Sequence, residues 1–230
     1  MGRQRTAVME RMSQVRWGLF DLDNTLYPSD SGVFQAIGRR IHDFMAERLG
    51  MDDDLIASLR QEYMAAYGAT MRGLALDYGV DPEDYLEYVH RLPVARYIQR
   101  NDTLDETLQA LPWEKVILTS STREHTQAVL SALGVGHHFG RVFDIRDTAY
   151  IGKPAESAYR VVLEAIPAEA EHCLFLDDSP ANVRAASELG MRTVLVGAEH
   201  KSEEADLHVA RVEDALALIG SLGPGAAADR

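Results

Sequence analysis

The amino-acid sequence predicts an α/β fold: a parallel sheet with helices between its strands and a helical domain inserted after the first strand. Three observations lead there. Short apolar, β-prone runs alternate with stretches of helical period. Those stretches stop at glycine or proline. The segment between the first two strands is far longer than a βα connection and is helical in pattern rather than loop-like.

The strand runs are 17–20, 116–118, 142–145, 173–176 and 193–196. Helix 124–133 stops at Gly134, helix 181–189 at Gly190 and helix 156–166 at Pro167. Ser179-Pro180 reads as an N-cap followed by proline at the first helical position. In the insertion, Val33, Ile37, Ile41, Phe44 and Met45 fall on one helical face, and 55–67, 69–78 and 82–90 read as further helices. Asp81-Pro82-Glu83-Asp84 is a helix start with acids in its first turn, and Asp52-Asp53-Asp54 most simply begins another. The expected organisation is a core of 16–27 plus 102–220, a helical cap of 28–101, and flexible ends at 1–15 and 221–230.

Composition bounds the function. The 230 residues suit one domain carrying an insertion, and a 46% hydrophobic, 26% charged chain is globular. A net charge of −13 argues against a nucleic-acid polymer or an anionic membrane as partner. No apolar run reaches the roughly 20 residues that span a bilayer. The single cysteine, Cys173, cannot pair internally and lies in an apolar strand as a packed thiol, so a reducing, cytoplasmic setting is expected. The first six residues fit a permissive N-myristoylation pattern, but no second membrane signal follows.

The chemistry gathers at the strand ends. Strand one runs into Asp21-Leu22-Asp23-Asn24-Thr25, and residues two apart on an extended chain point the same way, so two like charges meet. Ligands of open parallel sheets bind beyond these carboxyl ends. Strand two ends in Thr119-Ser120-Ser121; its hydroxyls are donors at that edge, or one of them caps the helix before Glu124. Lys153, one of only three lysines, sits in a Gly/Pro-framed turn, and strand four ends in Asp177-Asp178. Four carboxylates, hydroxyls and one ammonium at one edge are what Mg²⁺-dependent phosphoryl transfer requires. Phosphate monoester hydrolysis calls for up to about a 10²¹-fold acceleration. General acid catalysis supplies only about 10²–10⁴-fold, so metal, nucleophile and positioning must act together.

Asp21-x-Asp23-x-Thr25, Thr119, Lys153 and Asp177-Asp178 resemble, in order and strand context, the four motifs of the haloacid dehalogenase superfamily. The resemblance covers nearly the whole chain and implies that superfamily's Rossmann-like core with a C1 helical cap. Asp21–Tyr27, Tyr67–Leu74, Tyr78–Pro82 and Val89-His90 are similar to its pyrimidine 5′-nucleotidase branch, although Ser120 stands where that branch has Asn and Ala69 where it has Thr. The resemblance implies that Asp21 is the nucleophile forming an aspartyl-phosphate and Asp23 the acid, then base. It implies Mg²⁺ held by Asp21, the backbone carbonyl of Asp23 and Asp178, with Asp177 supporting. Thr119 would bind phosphoryl oxygens, Lys153 would offset charge at Asp21, and Asn182 lies where the family places a second acid or amide. Asn24, Ser120, Tyr67, Thr70 and Arg72 are the expected substrate contacts, with Tyr63 on the same stretch. The expected activity is hydrolysis of a small phosphate, a pyrimidine nucleoside 5′-monophosphate, by a monomer or homodimer.

The rival readings fit less well. A 2-haloacid dehalogenase needs no metal and lacks the acid at the position of Asp23. A phosphomutase would have to shield its phosphoenzyme from water, and a binding module would typically have lost the nucleophile or the lysine. Gly134–Gly140 has the wrong spacing for a dinucleotide fingerprint, and there is no Gly-x-Ser-x-Gly elbow. The adjacent His137-His138 are expected to be solvated.

Overall fold

The computed structural model describes residues 8, 10–197 and 205–221. The myristoylation pattern lies outside the described residues. Six strands form one parallel sheet: β1 (Trp17–Phe20), β2 (Glu114–Leu118), β3 (Arg141–Phe143), β4 (Cys173–Asp177), β5 (Arg192–Val196) and β6 (Leu207–Val209). Their order is β3-β2-β1-β4-β5-β6. The chain therefore steps from β1 to one side, then returns to build the other. β1 is a switch point, and the ends of β1, β2 and β4 open onto one crevice.

The strands are apolar on both faces because both are covered. Phe20, Ile117, Leu174 and Val194 face one core layer, and Leu19, Val116 and Phe175 the other. Helices α5 (Asp102–Gln109), α6 (Arg123–Leu133) and α9 (Val212–Gly220) cover the first layer, through Leu104, Leu130 and Leu216. Helices α7 (Glu156–Ala165) and α8 (Pro180–Glu188) cover the second, through Val162 and Ala186. Met12 and Val15 are buried in the first layer, so the ordered core begins before residue 16.

Between β1 and β2 lie α1 (Val33–Leu49), α2 (Asp53–Tyr67), α3 (Thr70–Tyr78) and α4 (Pro82–His90). They build a separate core around Phe44, Met45, Ile56, Tyr63, Leu74 and Leu86. Asp52 and Asp81 cap α2 and α4: Leu55 N–H donates to Asp52 at 2.9 Å, and Glu83 and Asp84 donate to Asp81 at 2.9 and 3.0 Å. Tyr63 packs so closely on Gly73 that a Cβ there would sit 2.1 Å from the ring. Its hydroxyl donates to Asp77 at 2.7 Å, so Tyr63 is a core residue and not a substrate contact.

The insertion docks on the sheet through the loop after β3. That strand ends at Phe143 rather than at residue 145, because Ile145 leaves the sheet and enters the insertion's core. Arg146 grips Glu83 of α4 with two nitrogens, at 2.8 and 2.9 Å, and also bonds Glu124 and Asp144. Tyr150, at φ 60°, donates to the same Glu83 at 2.6 Å. No helix among the described residues is long and apolar enough to cross a membrane.

Candidate active site

The sheet brings the four sequence motifs together. Asp21 follows β1 directly, and its N–H donates to Leu176 O at 2.9 Å, which continues the β1–β4 ladder and fixes the carboxylate over the switch point. Asp177 ends β4 and is fully buried, with Asp178 next to it. Carboxylate oxygens of Asp21, Asp177 and Asp178 all lie within 4.8 Å of one another. Lys153 Nζ donates to Asp21 Oδ1 at 2.6 Å and Asp177 Oδ2 at 2.7 Å. Burial opposes its charge, but Asp177 and Asp21 outweigh burial and hold the ammonium protonated.

One ammonium does not balance three carboxylates. Burial, with Asp177 and Asp178, pushes the Asp21 carboxyl well above the usual range despite Lys153. Burial and Asp177 push Asp178 up to about 6. The Asp177 oxygens are already engaged in hydrogen bonds. Ser179 N–H donates at 2.8 Å, the Asn182 amide at 3.0 and 3.1 Å, and Lys153 takes the remaining direction. Asp21 and Asp178 therefore keep the oxygens a hard divalent cation needs, and Asp177 orients the group. The residues present fit such a cation.

Asp23 faces another environment. Its Oδ1 accepts from Tyr27 O–H at 2.5 Å and lies 2.9 Å from His125 Nε2, and its Oδ2 accepts from Ser121 O–H at 2.5 Å. Burial would raise its pKa, but the charge and hydrogen bond of His125, with Ser121 and Tyr27, hold the carboxyl well below the usual range. His90, from the end of α4, stacks on the His125 ring with centroids 4.7 Å apart. Burial pushes His90 down to about 3, with His125 adding to the effect.

The hydroxyl run after β2 divides by role. Thr119 is buried at the strand end, its N–H donating to Phe143 O at 3.0 Å and its Oγ1 accepting from Ser121 N–H at 3.0 Å. Ser120 is exposed and lies against Gly152, where a Cβ would come within 3.1 Å of its Oγ. The helix cap is none of the three: Thr122 accepts from His125 N–H at 3.3 Å. Asn24, at φ 61°, lies beside Asp178 and favours that residue's ionised form.

Besides His90, the insertion reaches the site at the turn that holds Gly68. Gly68, at φ 73°, approaches so closely that a Cβ would lie 3.0 Å from Lys153 O and Pro154 Cδ. That places Tyr67 and buried Thr70 beside the Lys153 turn, with the Arg72 guanidinium 5.7 Å from the Tyr67 ring centre.

The sequence marks Ser121 only as a hydroxyl donor at the sheet edge or a helix cap, and it gives Tyr27, His125 and His90 no role at the site. Their contacts join residues up to 102 positions apart, which no local pattern reports. A weak signal existed in Tyr27, four residues beyond Asp23, and in His125, six beyond Thr119. Of the histidine pair, His137 is exposed as expected and His138 is not. His138 is nearly buried and lies 2.7 Å from Asp105, with His137 at 3.3 Å from the same oxygen and Arg100 on the other. Cys173 is buried as expected, its thiol pushed up to about 12 by burial.

Residues 17–190 match the model of the haloacid dehalogenase-like hydrolases. The chain belongs to that family. The haloacid dehalogenase-like chain is 27% identical over 193 residues to Phosphate metabolism protein 8 of Saccharomyces cerevisiae, covering 76% of this chain and 60% of that protein's length. It is 26% identical over 196 residues to Validoxylamine A 7′-phosphate phosphatase of Streptomyces hygroscopicus subsp. limoneus, covering 82% and 90%. Its fold matches the HAD-hydrolase YfnB from Bacillus subtilis, solved bound to magnesium, with TM-score 0.62 at 18% identity over 89% and 98% of the two chains.

Proposed function

We propose that this hydrolase is a Mg²⁺-dependent phosphomonoesterase that forms an aspartyl-phosphate on Asp21, and that its substrate is a pyrimidine nucleoside 5′-monophosphate. The observation that carries the reading is the pairing of Asp21, gripped by Lys153, with a second carboxylate two residues on, held apart from the charged cluster. A dehalogenase has no use for that second acid, since a halide leaves without a proton.

Asp21, Asp178 and the Asp23 carbonyl, with Asp177 supporting, would hold Mg²⁺, which would supply charge neutralisation at the phosphoryl group. The protein does the rest. Asp21 attacks phosphorus, Asp23 protonates the departing alcohol and then takes a proton from the water that cleaves the phosphoenzyme. Thr119 and Ser120 hydrogen-bond phosphoryl oxygens, and Lys153 aims Asp21 and favours its ionised form against the burial that opposes it. Residues 28–101 act as a C1 cap over a core of 16–27 and 102–220, with Tyr67, Thr70 and Arg72 meeting the nucleoside. The enzyme works in the cytoplasm as a monomer or homodimer. The name of the Streptomyces relative, a validoxylamine A 7′-phosphate phosphatase, supports the reaction and keeps other small phosphates as the second substrate reading.

Phosphate release from nucleotides, sugar phosphates, phosphoglycolate and phosphorylated vitamins, with Mg²⁺ and with EDTA, tests the reading. Metal-dependent release, fastest from pyrimidine 5′-monophosphates, is expected; full activity in excess EDTA overturns it. Arg72→Ala should change the ranking of substrates more than it changes Tm. A proportional loss on all of them would remove Arg72 as selector.

A further inference from the structure

We propose that His125 is a positioning residue for Asp23, and that His90 of the helical insertion backs it, so that the Asp23 carboxylate is set for proton transfer only while α4 is docked. The inference rests on the phosphatase reading and adds to it two residues outside the four motifs.

Three donors from three elements converge on one carboxylate: Tyr27 from the turn after β1, Ser121 from the loop after β2 and His125 from the first turn of α6. They are not equivalent. A hydroxyl both donates and accepts, so Ser121 and Tyr27 can turn to accept from Asp23 when it carries a proton. His125 cannot turn in this way. Its ring is fully buried, its Nε2 meets Asp23 Oδ1 at 2.9 Å, and its Nδ1 is buried with no hydrogen-bond partner among the described residues. Nε2 carries a proton, because the Asp23 acceptor waits there. The imidazole thus fixes Oδ1, and proton exchange is left to Oδ2.

A partnerless buried nitrogen costs free energy that a phenyl or aliphatic side chain would avoid. His125 accepts that cost while holding Asp23. The ring plane is set by His90, stacked at 21° interplanar angle, whose Nδ1 lies 3.4 Å from Thr122 Oγ1. His90 ends α4, the helix that Arg146 and Tyr150 fasten to the core through Glu83. Displacing α4 would remove the stack and free the ring.

The test uses the whole enzyme, with a nucleoside monophosphate as poor leaving group and p-nitrophenyl phosphate as good one. His125→Leu should lower kcat on the nucleotide by about 10–100-fold, the scale lost with an outer-shell partner, while KM stays within about threefold. Phosphorylation by p-nitrophenyl phosphate, read from the p-nitrophenol burst, should change by less than about threefold, because that oxygen needs no proton. His125→Gln, which returns an N–H near the Nε2 position, should recover most of the loss, and His90→Leu should reproduce part of it. Equal losses on both substrates, an unchanged kcat in His125→Leu, or no recovery in a His125→Gln protein with the parent Tm would each overturn the positioning role alone. A parent protein that releases no phosphate from either substrate would overturn the phosphatase reading instead, and this inference with it.

Discussion

Asp21 and Asp23 stand two residues apart on one strand end, equally removed from water, and their environments have opposite sign. Around Asp21, burial and two further carboxylates prevail over Lys153 and push its pKa up. Around Asp23, His125 and two hydroxyl donors prevail over burial and push it down. Burial is common to both, so the partners decide. The Asp21 side lacks positive charge and calls for a cation, whereas the Asp23 side is satisfied without one. A metal placed by this difference would be held by Asp21 and Asp178, with the Asp23 carboxyl group standing apart from it.

The largest expected effect breaks the Asp21 side outright. Asp21→Asn keeps the shape but removes the attacking oxygen, and turnover should fall by at least about 10⁴-fold, on the scale of deleting a nucleophile. Measurable phosphate release with an intact Mg²⁺ dependence would place the nucleophile elsewhere.

Lys153→Met removes the ammonium from between two buried carboxylates. Stability should drop by about 3–5 kcal/mol, the cost of breaking a buried pair, and Mg²⁺ should restore part of it. Denaturant titration with and without the ion reads both. An unchanged midpoint would mean that the carboxylates already share protons and Lys153 balances little.

The smallest effect sharpens the contrast through pH. Asp178 is raised to about 6, above its ordinary value, so the folded protein binds that proton more tightly than the unfolded chain. Stability of the metal-free protein should therefore fall as pH rises from about 4 to about 6. Mg²⁺ replaces that proton, so its gain in Tm should be large at pH 7.5 and small at pH 5. Asp178→Asn should stabilise the metal-free protein by up to about 3 kcal/mol and abolish the Mg²⁺ gain. A metal gain that is equal at both pH values would contradict the assignment.

The two sides were not equally legible in the sequence. The Asp21 side could be read because each member ends a strand, and strand ends in a parallel sheet share one edge. Asp177-Asp178 after four apolar residues, and a rare lysine in a Gly-Lys-Pro turn, stand out against their surroundings. The donors around Asp23 do not. Ser121 and His125 look like the start of an ordinary helix, and their contact with Asp23 exists only once β1 and β2 pair. The same limit applied to the fold. Helices with a cap and a glycine or proline stop emerged within a residue or two, as at Pro82–His90, because their signals are local. The three-residue edge strand β6 has no such signal; it exists because Val194–Val196 of β5 offer it a pairing edge. Ile145 reads as strand by composition, and a neighbouring core drew it out of the sheet.

The measurement that tests the central contrast most directly is the burst of p-nitrophenol from Asp23→Asn, taken alongside its turnover of the nucleotide. The substitution keeps the size and backbone carbonyl of Asp23 and removes only its proton chemistry. Nucleotide turnover should fall by roughly 10²–10⁴-fold, while Asp21 is still phosphorylated by p-nitrophenyl phosphate and the aspartyl-phosphate accumulates as a stoichiometric burst. Equal losses on both substrates with no burst would show that Asp23 shapes the metal site like its neighbours, and that the two carboxylates do not divide the work.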